Sequence, residues 1–345
     1  MRLVLSILLA AMCIGGSCGI PSEVPQKRGD FAFGYAASYN ARQMKWFSRF
    51  KLVSTGEYLP ADQVKELNAA GSKLVRYEWS VAFYLKPTDV LGWEHKLLAD
   101  HPNWVLNPGK GLYGYAGSMN DPAYYFDPSI PEMRKWRIET IIKQAREHHY
   151  NGWFFDTTTF NSVHPDAQAI FKKLHPDKVY DDYMAMFLGE LKAAAPDMII
   201  FTNQGYRDHA HYLPYADYDL SESYMTQSID GPKAKICIEG KGIQEIWETH
   251  IIKWYADIWG DSASSYIDDL IRKPIQKYGY KSIICHYNYG VPKYIPTVSK
   301  VRVDGKDWEV YKPTLDREAI YYGVAAALLF NQTSYYAEGD ETRYT

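Results

Sequence analysis

Several features that would point to common function classes are scarce or missing in this chain. It has only 4 cysteines among 345 residues, and no Cys/His spacing typical of a zinc site. The formal net charge is -3 and no stripe of Lys or Arg is present, which argues against nucleic acid as a partner. From residue 20 onward there is no Gly-x-Ser-x-Gly elbow and no phosphate-binding Gly-x-x-x-x-Gly-Lys-Ser/Thr loop. Acyl transfer and nucleotide hydrolysis therefore lack their usual motifs.

The only long apolar stretch near the start is too short to span a bilayer. Residues 3–14 follow a charged start, and small residues come before Cys18, although Gly15 stands where leucine is usual in bacterial lipoproteins. We expect residues 1–18 to be a signal peptide, with Cys18 as a candidate lipid anchor and a secreted, periplasmic or cell-surface location. Cys237 and Cys285 then remain, either as one disulfide or as two buried thiols.

Aromatic residues are abundant, with 30 Tyr and 10 Trp. A tyrosine ring can pack on a sugar face while its hydroxyl forms hydrogen bonds, although filling a large core explains most of these residues. The hydrophobic content of 46% is enough for such a core, and no compositional break divides the chain. We expect one catalytic domain over residues 31–345.

Strand-like and helix-like runs alternate along the chain. The strand-like runs are residues 50–54, 73–78, 104–107, 153–156, 198–202, 218–224, 281–285 and 333–337. The helical ones are residues 60–70, 131–149, 181–195, 244–277 and 315–330. Eight such strands predict an α/β fold of the (β/α)8 TIM-barrel type. No helix follows the last strand, so we expect that helix to be missing or its flank to be covered by residues 31–49.

A β-hairpin insertion is predicted after strand seven. Alternating apolar residues in the segment 300–311 flank Asp304-Gly305, a strong two-residue turn signal. An insertion in a βα loop would project over the carboxyl-end face of the barrel and form a wall of the cleft.

The most informative stretch is the apolar run of residues 153–155, which ends on Asp156. It follows the helix-breaking Asn151-Gly152 and is typical of a strand buried on both faces. An ionised Asp belongs at the exit of such a strand, because burial inside it would leave the charge unpaired. In a barrel of parallel strands, that exit faces the active site.

Asp156 and Glu222 form the candidate catalytic pair. Hydrolysis of a glycosidic bond needs one carboxyl group as proton donor and a second as nucleophile or base. Asp156 would attack the anomeric carbon or stabilise the oxocarbenium-like charge, and Glu222 would be the acid/base. Glu222 is also compatible with an irregular loop in which it pairs with a basic residue.

Further polar side chains follow the predicted strand ends and are candidates for substrate binding. They are Glu78, Asn203, Gln204, Tyr224, His286, Asn288 and Glu338. Amides suit hydroxyl recognition because they both donate and accept hydrogen bonds. Glu78, close behind Arg76, fits a structural ion pair equally well, and Glu338 is a spare candidate acid. Asp127, before Pro128, is better explained as a turn or cap residue.

Two rival functions remain open. One is a non-catalytic barrel that binds glycans through its carboxylates. The other is a metal-dependent hydrolase with Asp156, Glu222 and His286 as ligands, for which no His-x-x-x-His helix gives support. The favoured function needs a carbohydrate substrate and no cofactor.

The run from Asp127-Pro128 through a basic amphipathic helix to Gly152-Trp-Phe-Phe-Asp156 resembles hypothetical glycosyl hydrolase family 15. That family is related to the endo-α-1,4-polygalactosaminidases and more distantly to the α-galactosidase clan. The resemblance covers residues 47–338, and its specific part is the strand before Asp156. It implies Asp156 as the nucleophile ending strand four and Glu222 as the acid/base ending strand six, where the clan typically has Asp. It also implies α-linked substrates and retention of configuration.

Overall fold

The computed structural model describes residues 29–34, 37–85, 92–113, 122–206, 208, 210–222, 226–253, 283–290, 293–314 and 333–338. For residues 29–30, 221–222, 226–233, 246–253, 283–290, 293, 313–314 and 333–338 it describes the backbone alone.

An eight-stranded parallel sheet forms the centre of the protein. In sheet order its strands are β1 (Gly29–Gly34), β2 (Phe50–Thr55), β3 (Lys73–Trp79), β6 (Gly152–Asp156), β7 (Ile199–Asn203), β8 (Tyr218–Glu222), β11 (Ile283–Gly290) and β14 (Thr333–Glu338). The last strand returns to lie beside the first. The sheet is therefore curled, and the α/β fold is TIM-barrel-like, as the alternating pattern predicted.

Six α-helices are present among the described residues. They are α1 (Ala41–Phe47), α2 (Ala61–Ala69), α3 (Trp93–Asp100), α4 (Pro131–Glu147), α5 (Pro165–Leu174) and α6 (Tyr180–Ala194). The helices predicted at residues 60–70, 131–149 and 181–195 correspond to α2, α4 and α6. Buried Arg134 of α4 donates from Nε and Nη2 to the two carboxylate oxygens of Glu190 on α6, at 3.0 and 2.9 Å. Such a two-point ion pair fixes the relative position of the two helices.

Two apolar layers lie on opposite faces of the curled sheet. Side chains that alternate with the shell-facing ones fill the interior: Phe31, Phe33, Leu52, Val75, Phe154, Phe201 and Leu220. The Phe154 and Phe201 rings have centroids 4.5 Å apart, and Phe31 meets Phe201 edge-on at 4.9 Å. Trp153 and Phe155 belong instead to the larger cluster beneath the helices. Side chains alternate between the two faces of a strand, so Asp156 lies on the same interior face as Phe154.

The start of β6 depends on Asn151 and Gly152. The Asn151 side chain accepts from the Leu74 backbone N–H at 2.9 Å, which ties the chain to β3. A Cβ at Gly152 would lie 2.0 Å from the carbonyl oxygen of Ile199, so only glycine allows β7 to approach this closely. Asn151 and Gly152 therefore fix the position of the strand that carries Asp156.

The predicted strand list contains two compensating errors. Strand β1 was missed, since residues 31–49 were expected only to cover a flank. Residues 104–107 are not a strand of the sheet: Pro102–Trp104 is a 3-10 helix, and Val105 forms an isolated bridge with Phe126. Pro102 favours the helical turn, while the Asn107 side chain bonds the backbone of Lys110, Ala123 and Tyr125. Strand β6 thus remains the fourth strand of the sheet, and β8 remains the sixth.

The helix predicted at residues 244–277 is wrong over its described part. Residues 242–253 are instead a strand, β10 (Gly242–Lys253), antiparallel to β9 (Thr226–Ile238). Gly240 and Gly242 have φ of +74° and +70°, a conformation that glycine adopts without strain. The two glycines on either side of Lys241 thus make the hairpin turn that joins β9 to β10.

A second hairpin is formed by β12 (Lys293–Val303) and β13 (Lys306–Thr314). Its turn is Asp304-Gly305, where both residues have positive φ, as the primed hairpin turns require. The four strands make a separate sheet in the order β10-β9-β13-β12. A third sheet pairs β4 (Ala82–Tyr84) with β5 (Ala123–Tyr125).

Several predictions concern residues outside the described part of the chain. They are the signal peptide 1–18, Tyr224, the helix 315–330 and everything after residue 338. Cys237 is a buried free thiol. Among the helices of the described residues, none combines the length and the apolar composition needed to cross a membrane.

Candidate active site

Asp156 is held by three hydrogen-bond donors at the carboxyl end of β6. Oδ2 accepts from the Tyr77 hydroxyl at 2.6 Å. Oδ1 accepts from Asn203 Nδ2 at 3.1 Å and from the Thr157 backbone N–H at 2.8 Å. Tyr77 is on β3 and Asn203 ends β7, so each strand next to β6 contributes one side chain. The carboxylate therefore has a fixed orientation at this end of the barrel.

The residues that follow β6 and β7 have unusual backbone conformations. Thr157 and Gln204 have φ of +58° and +59°. Positive φ is uncommon outside glycine, and for a β-branched residue such as Thr157 it is strained. Such strain persists where the surroundings enforce it, and it concentrates at functional sites. Here Ser80 donates to the Thr157 carbonyl at 3.0 Å, and Thr157 is buried.

Buried hydrogen bonds join the ends of β6 and β7. The Thr158 hydroxyl donates to the Asn203 carbonyl at 3.1 Å and lies 2.8 Å from the Tyr212 hydroxyl. These contacts position the backbone of Asn203, whose side chain reaches Asp156. Thr158 and Tyr212 thus hold the orientation of the Asp156 carboxylate indirectly, through Asn203.

Asp219 on β8 holds the loop that follows Asn203. Its Oδ1 accepts from Thr202 Oγ1 at 2.6 Å and from the Gly205 N–H at 3.0 Å, and its Oδ2 accepts from the Tyr206 N–H at 3.0 Å. Complete burial raises the pKa of the Asp219 carboxyl from 3.8 to about 7, although these three donors pull it down. The group is therefore a buried acid that titrates near neutral pH.

Stability should depend on pH through Asp219. Because its folded pKa is raised, the native state keeps this proton to higher pH than the unfolded chain does. The contribution of Asp219 to the free energy of unfolding is therefore largest below about pH 4 and is lost as the pH rises to about 7. Asp219→Asn removes this titration, so the variant's stability deficit should be larger at pH 4.5 than at pH 7.5, by roughly 2–4 kcal/mol.

Urea unfolding of both proteins across this pH range measures the difference. Asp307→Asn, which alters an exposed carboxylate beside Arg302, a partner that stays charged across this range, serves as the surface control. A deficit that stays constant with pH would show that Asp219 does not titrate in this range.

The hydroxyl of Tyr77 is expected to position Asp156. Tyr77→Phe removes the shortest of the three hydrogen bonds to the carboxylate and leaves the ring in place among Phe33 and Phe154. A hydrogen bond to a charged group contributes about 1.5–3 kcal/mol, so kcat/KM of the activity proposed below should fall roughly 10- to 150-fold. Steady-state kinetics measures this effect.

A double-mutant cycle separates positioning from a general structural loss. In the Asp156→Asn background, Tyr77→Phe should cause little further loss, because the two residues act together. Tyr183→Phe, at a half-buried position on α6, is the matched control. Equal losses in both backgrounds would contradict a positioning role.

The structure brings only some of the predicted site residues to Asp156. Asn203 contacts it, and Gln204 follows directly in the chain. Glu78 lies on the other face of β3, where its Oε2 accepts from Arg137 Nη2 of α4 at 3.0 Å. Arg76, which the sequence suggested as the partner of Glu78, pairs with Glu57 at 3.1 Å. Asp127 has the turn role that was predicted, with Oδ1 accepting from the Ser129 N–H at 3.0 Å.

For the remaining predicted residues the structure gives backbone positions. Glu222 is the last residue of β8, two positions after buried Leu220, and pairs in register with Tyr287 of β11. His286 and Asn288 lie in β11 on either side of Tyr287, and Glu338 ends β14. Tyr224 lies outside the described residues. Among the described residues, no group of three or more His, Cys, Asp or Glu side chains is placed to hold a metal ion.

Three residues important for this arrangement were not found from the sequence: Tyr77, Thr157 and Asp219. Tyr77 directly precedes Glu78, which was chosen because it is a carboxylate. In the structure Tyr77 and Trp79 share one face of β3 and Glu78 lies on the other, a phase that the apolar Leu74 and Val75 do not reveal in the sequence. No sequence signal indicates the positive φ of Thr157 or the buried contacts of Asp219.

Comparison with protein-family models and with curated proteins finds no match to this chain. Solved structures do match. The glycoside hydrolase domain of PelA from Pseudomonas aeruginosa is 15% identical with a TM-score of 0.52, over 90% of this chain and 94% of that one.

Two further matches have lower TM-scores. Ega3 from Aspergillus fumigatus, solved with galactosamine, is 10% identical with a TM-score of 0.47, over 94% of this chain and 96% of that one. The α-galactosidase from Thermus thermophilus is 14% identical with a TM-score of 0.39, over 58% of this chain and 42% of that one. This protein shares the barrel-like α/β fold of the PelA domain, and the likeness spans nine-tenths of both chains.

Proposed function

We propose that this protein is a glycoside hydrolase that cleaves glycosidic bonds in an oligo- or polysaccharide with two carboxylates, Asp156 and Glu222. The observation that carries the proposal is the placement of Asp156 at the carboxyl end of the fourth strand of the sheet, with Tyr77 and Asn203 fixing its oxygens. Parallel barrels have their active sites at that end. The fold shared with the PelA glycoside hydrolase domain supports the same reaction class.

Glu222 has the strand position that a second carboxylate needs. It ends β8, which is separated from β6 by one strand, and it is in phase with Leu220 of the barrel interior. Two inter-strand spacings of about 4.8 Å put the two backbones roughly 10 Å apart. Side chains that converge toward the barrel axis would bring the carboxyl groups closer. The proposed mechanism requires the two carboxyl groups to lie about 5–9.5 Å apart, the range that glycosidases use.

The two carboxylates have different roles in this mechanism. Asp156, oriented by its three donors, attacks the anomeric carbon or stabilises the positive charge that develops there. Glu222 protonates the leaving-group oxygen and, in a retaining reaction, then deprotonates the incoming water. Retention and α-linked substrates are the outcomes that the sequence resemblance favours.

Hydroxyl recognition is assigned to groups near these carboxylates. Asn203 and Gln204 are next to Asp156, and Tyr224, His286, Asn288 and Glu338 follow or lie in neighbouring strands. Glu78 is assigned to a separate groove on the outer face of β3. We further propose a single catalytic domain over residues 31–345, a secretory leader at residues 1–18 with Cys18 as the lipid anchor, and the hairpin of β12 and β13 as a wall of the cleft.

A screen of the purified protein against α- and β-linked glycans tests the function. Release of reducing ends by the wild type, absent from the Asp156→Asn variant, is the expected result. Binding of a glycan without turnover in either protein would favour the non-catalytic barrel instead. Turnover that a chelator abolishes, and added metal restores, would favour the metal-dependent hydrolase.

A further inference from the structure

A groove of about 700 Å³ lies on the flank of the barrel, between β3, helix α4 and the β4 strand. It shares a wall with the candidate active site, because Tyr77 and Trp79 line it as well. Its own side chains are distinct from that site: Arg76 and Glu78 lie on the outer face of β3, and Glu78 is paired with Arg137 of α4. Neither rival function nor the proposed mechanism uses this groove.

Three buried donors in the groove lining have no acceptor. They are the Tyr58 hydroxyl, Arg76 Nε and Arg137 Nε. The other bonds of the guanidinium groups are internal, since Arg76 bonds Glu57 and the Tyr77 carbonyl, and Arg137 bonds Glu78 and the Trp79 carbonyl. A buried donor without an acceptor is unfavourable, so the natural occupant of this groove should supply oxygen acceptors. Burial and the nearby charge of Glu78 raise the pKa of Tyr58, so its hydroxyl keeps its proton and can donate.

Aromatic rings form the rim and floor beside these donors. Trp93 is 44% exposed, an unusual degree for tryptophan, and its ring centroid lies 5.8 Å from Trp136 and 5.6 Å from Phe83. Tyr58 stacks on His148 with centroids 4.2 Å apart, so its ring is held in place. An occupant must therefore present an apolar face as well as oxygen atoms, which describes a pyranose ring.

The charges of the groove select against an anionic ligand. Its lining has two guanidinium groups and three carboxylates, those of Glu57, Glu78 and Glu94. Each guanidinium is already paired with a carboxylate, at 3.1 Å for Arg76 and 3.0 Å for Arg137. An anionic sugar or a phosphate would need a free positive charge, which these ion pairs do not leave. An ammonium group cannot accept a hydrogen bond, so the three donors favour the hydroxyl or ring oxygens of a sugar over an amino substituent.

We propose that this groove is a second carbohydrate-binding site, in which an uncharged sugar residue stacks on Trp93 and accepts hydrogen bonds from Tyr58, Arg76 and Arg137. The choice of a glycan as the natural ligand rests on the proposed function. The donors and aromatic rings of the groove are observed independently of that function. A site on the flank that shares β3 with the active site would hold a long glycan near Asp156 without taking part in its cleavage.

Affinity electrophoresis tests the site in the full chain carrying Asp156→Asn, so that no glycan is consumed. The gels contain dextran, soluble starch, galactomannan or xyloglucan as uncharged probes, polygalacturonate as the anionic probe and chitosan as the cationic one. At least one uncharged glycan should retard the protein. Trp93→Ala should then raise the dissociation constant about tenfold, and Tyr58→Phe about fivefold.

Two matched variants control for general effects. Tyr215→Ala removes another exposed aromatic ring, and Tyr180→Phe removes another buried hydroxyl without an acceptor, both away from the groove. They should change the dissociation constant less than twofold. Hydrogen-exchange mass spectrometry adds a site-resolved readout, since the bound glycan should protect backbone amides of residues 56–60 and 92–96 in the parent protein and not in Trp93→Ala.

The outcomes separate this site from the proposed function. Binding that is equally strong in the groove variants and the controls would overturn the second site, even if the protein hydrolyses glycans. Absence of binding to every uncharged probe, or tighter binding of polygalacturonate or chitosan, would overturn it as well. Groove-dependent binding in a protein without any turnover would support the second site and contradict only the enzymatic proposal.

Discussion

Asp156→Asn is expected to reduce turnover roughly ten-thousandfold or more while the protein stays folded. Removing the nucleophile of a covalent mechanism typically costs this much, because no neighbouring group can form the intermediate in its place. The amide keeps the size of the carboxylate, and its oxygen at the Oδ1 position can still accept from Asn203 and from the Thr157 N–H. Reducing-end release from the best substrate of the glycan screen measures the loss.

The control for this variant is Asp182→Asn, which makes the same chemical change at an exposed position 2.7 Å from His211. It should have wild-type turnover. Circular dichroism and urea midpoints should show all three proteins folded at the assay temperature. Turnover of Asp156→Asn within tenfold of the wild type would remove Asp156 from the mechanism and with it the main support for the enzymatic proposal.

Glu222→Ala is expected to have the second largest effect, and its size should depend on the leaving group. Loss of a general acid costs about 10²–10⁴-fold where the leaving oxygen needs protonation, as in a natural glycan. An activated aryl glycoside leaves without help, so the step that forms the intermediate should slow much less with that substrate. The pH profile of kcat/KM should also lose its alkaline limb, because the group whose deprotonation causes it is gone.

Comparison of the two substrates identifies acid catalysis more sharply than a loss of activity alone. Glu147→Ala, on the exposed face of α4 beside Lys143, is the matched control and should leave both rates unchanged. A uniform loss with both substrates and an unaltered pH profile would indicate a structural role for Glu222. Another carboxylate, with Glu338 as the first candidate, would then be tested in the same way.

The fold class was predictable because the physical signals for it are local. Pro131 marks the start of helix α4, and Asn151-Gly152 prevents the helix from continuing. The short apolar run that follows is therefore typical of a buried strand. The neighbouring strands β7 and β8 were found by the same pattern. A false strand was predicted at residues 104–107, because so short an apolar run does not distinguish a strand from other structures. A false helix was predicted from residue 244, because the glycines at 240 and 242 were not considered as a turn.

Of the residues in the candidate site, Asp156 and Asn203 could be predicted from the sequence, but the complete site could not. Asp156 could be found because a carboxylate at the end of a wholly apolar strand has few other places to lie. Asn203 could be found in the same way, and it does donate to Asp156. Tyr77 was missed in favour of Glu78, because β3 is buried on both faces over Leu74 and Val75 and so shows no alternation from which to read its phase.

The sequence by itself determined that a parallel α/β sheet forms and that Asp156 stands at the exit of its fourth strand. These depend on hydrophobic periodicity, helix ends and the cost of burying a charge, all of which act within a few residues. Only the tertiary structure decided which face of β3 meets Asp156, that Arg137 rather than Arg76 pairs with Glu78, and that Asp219 holds the loop after Asn203. Those contacts join residues from 13 to 79 positions apart, and such pairings exist only once the sheet has closed around its interior.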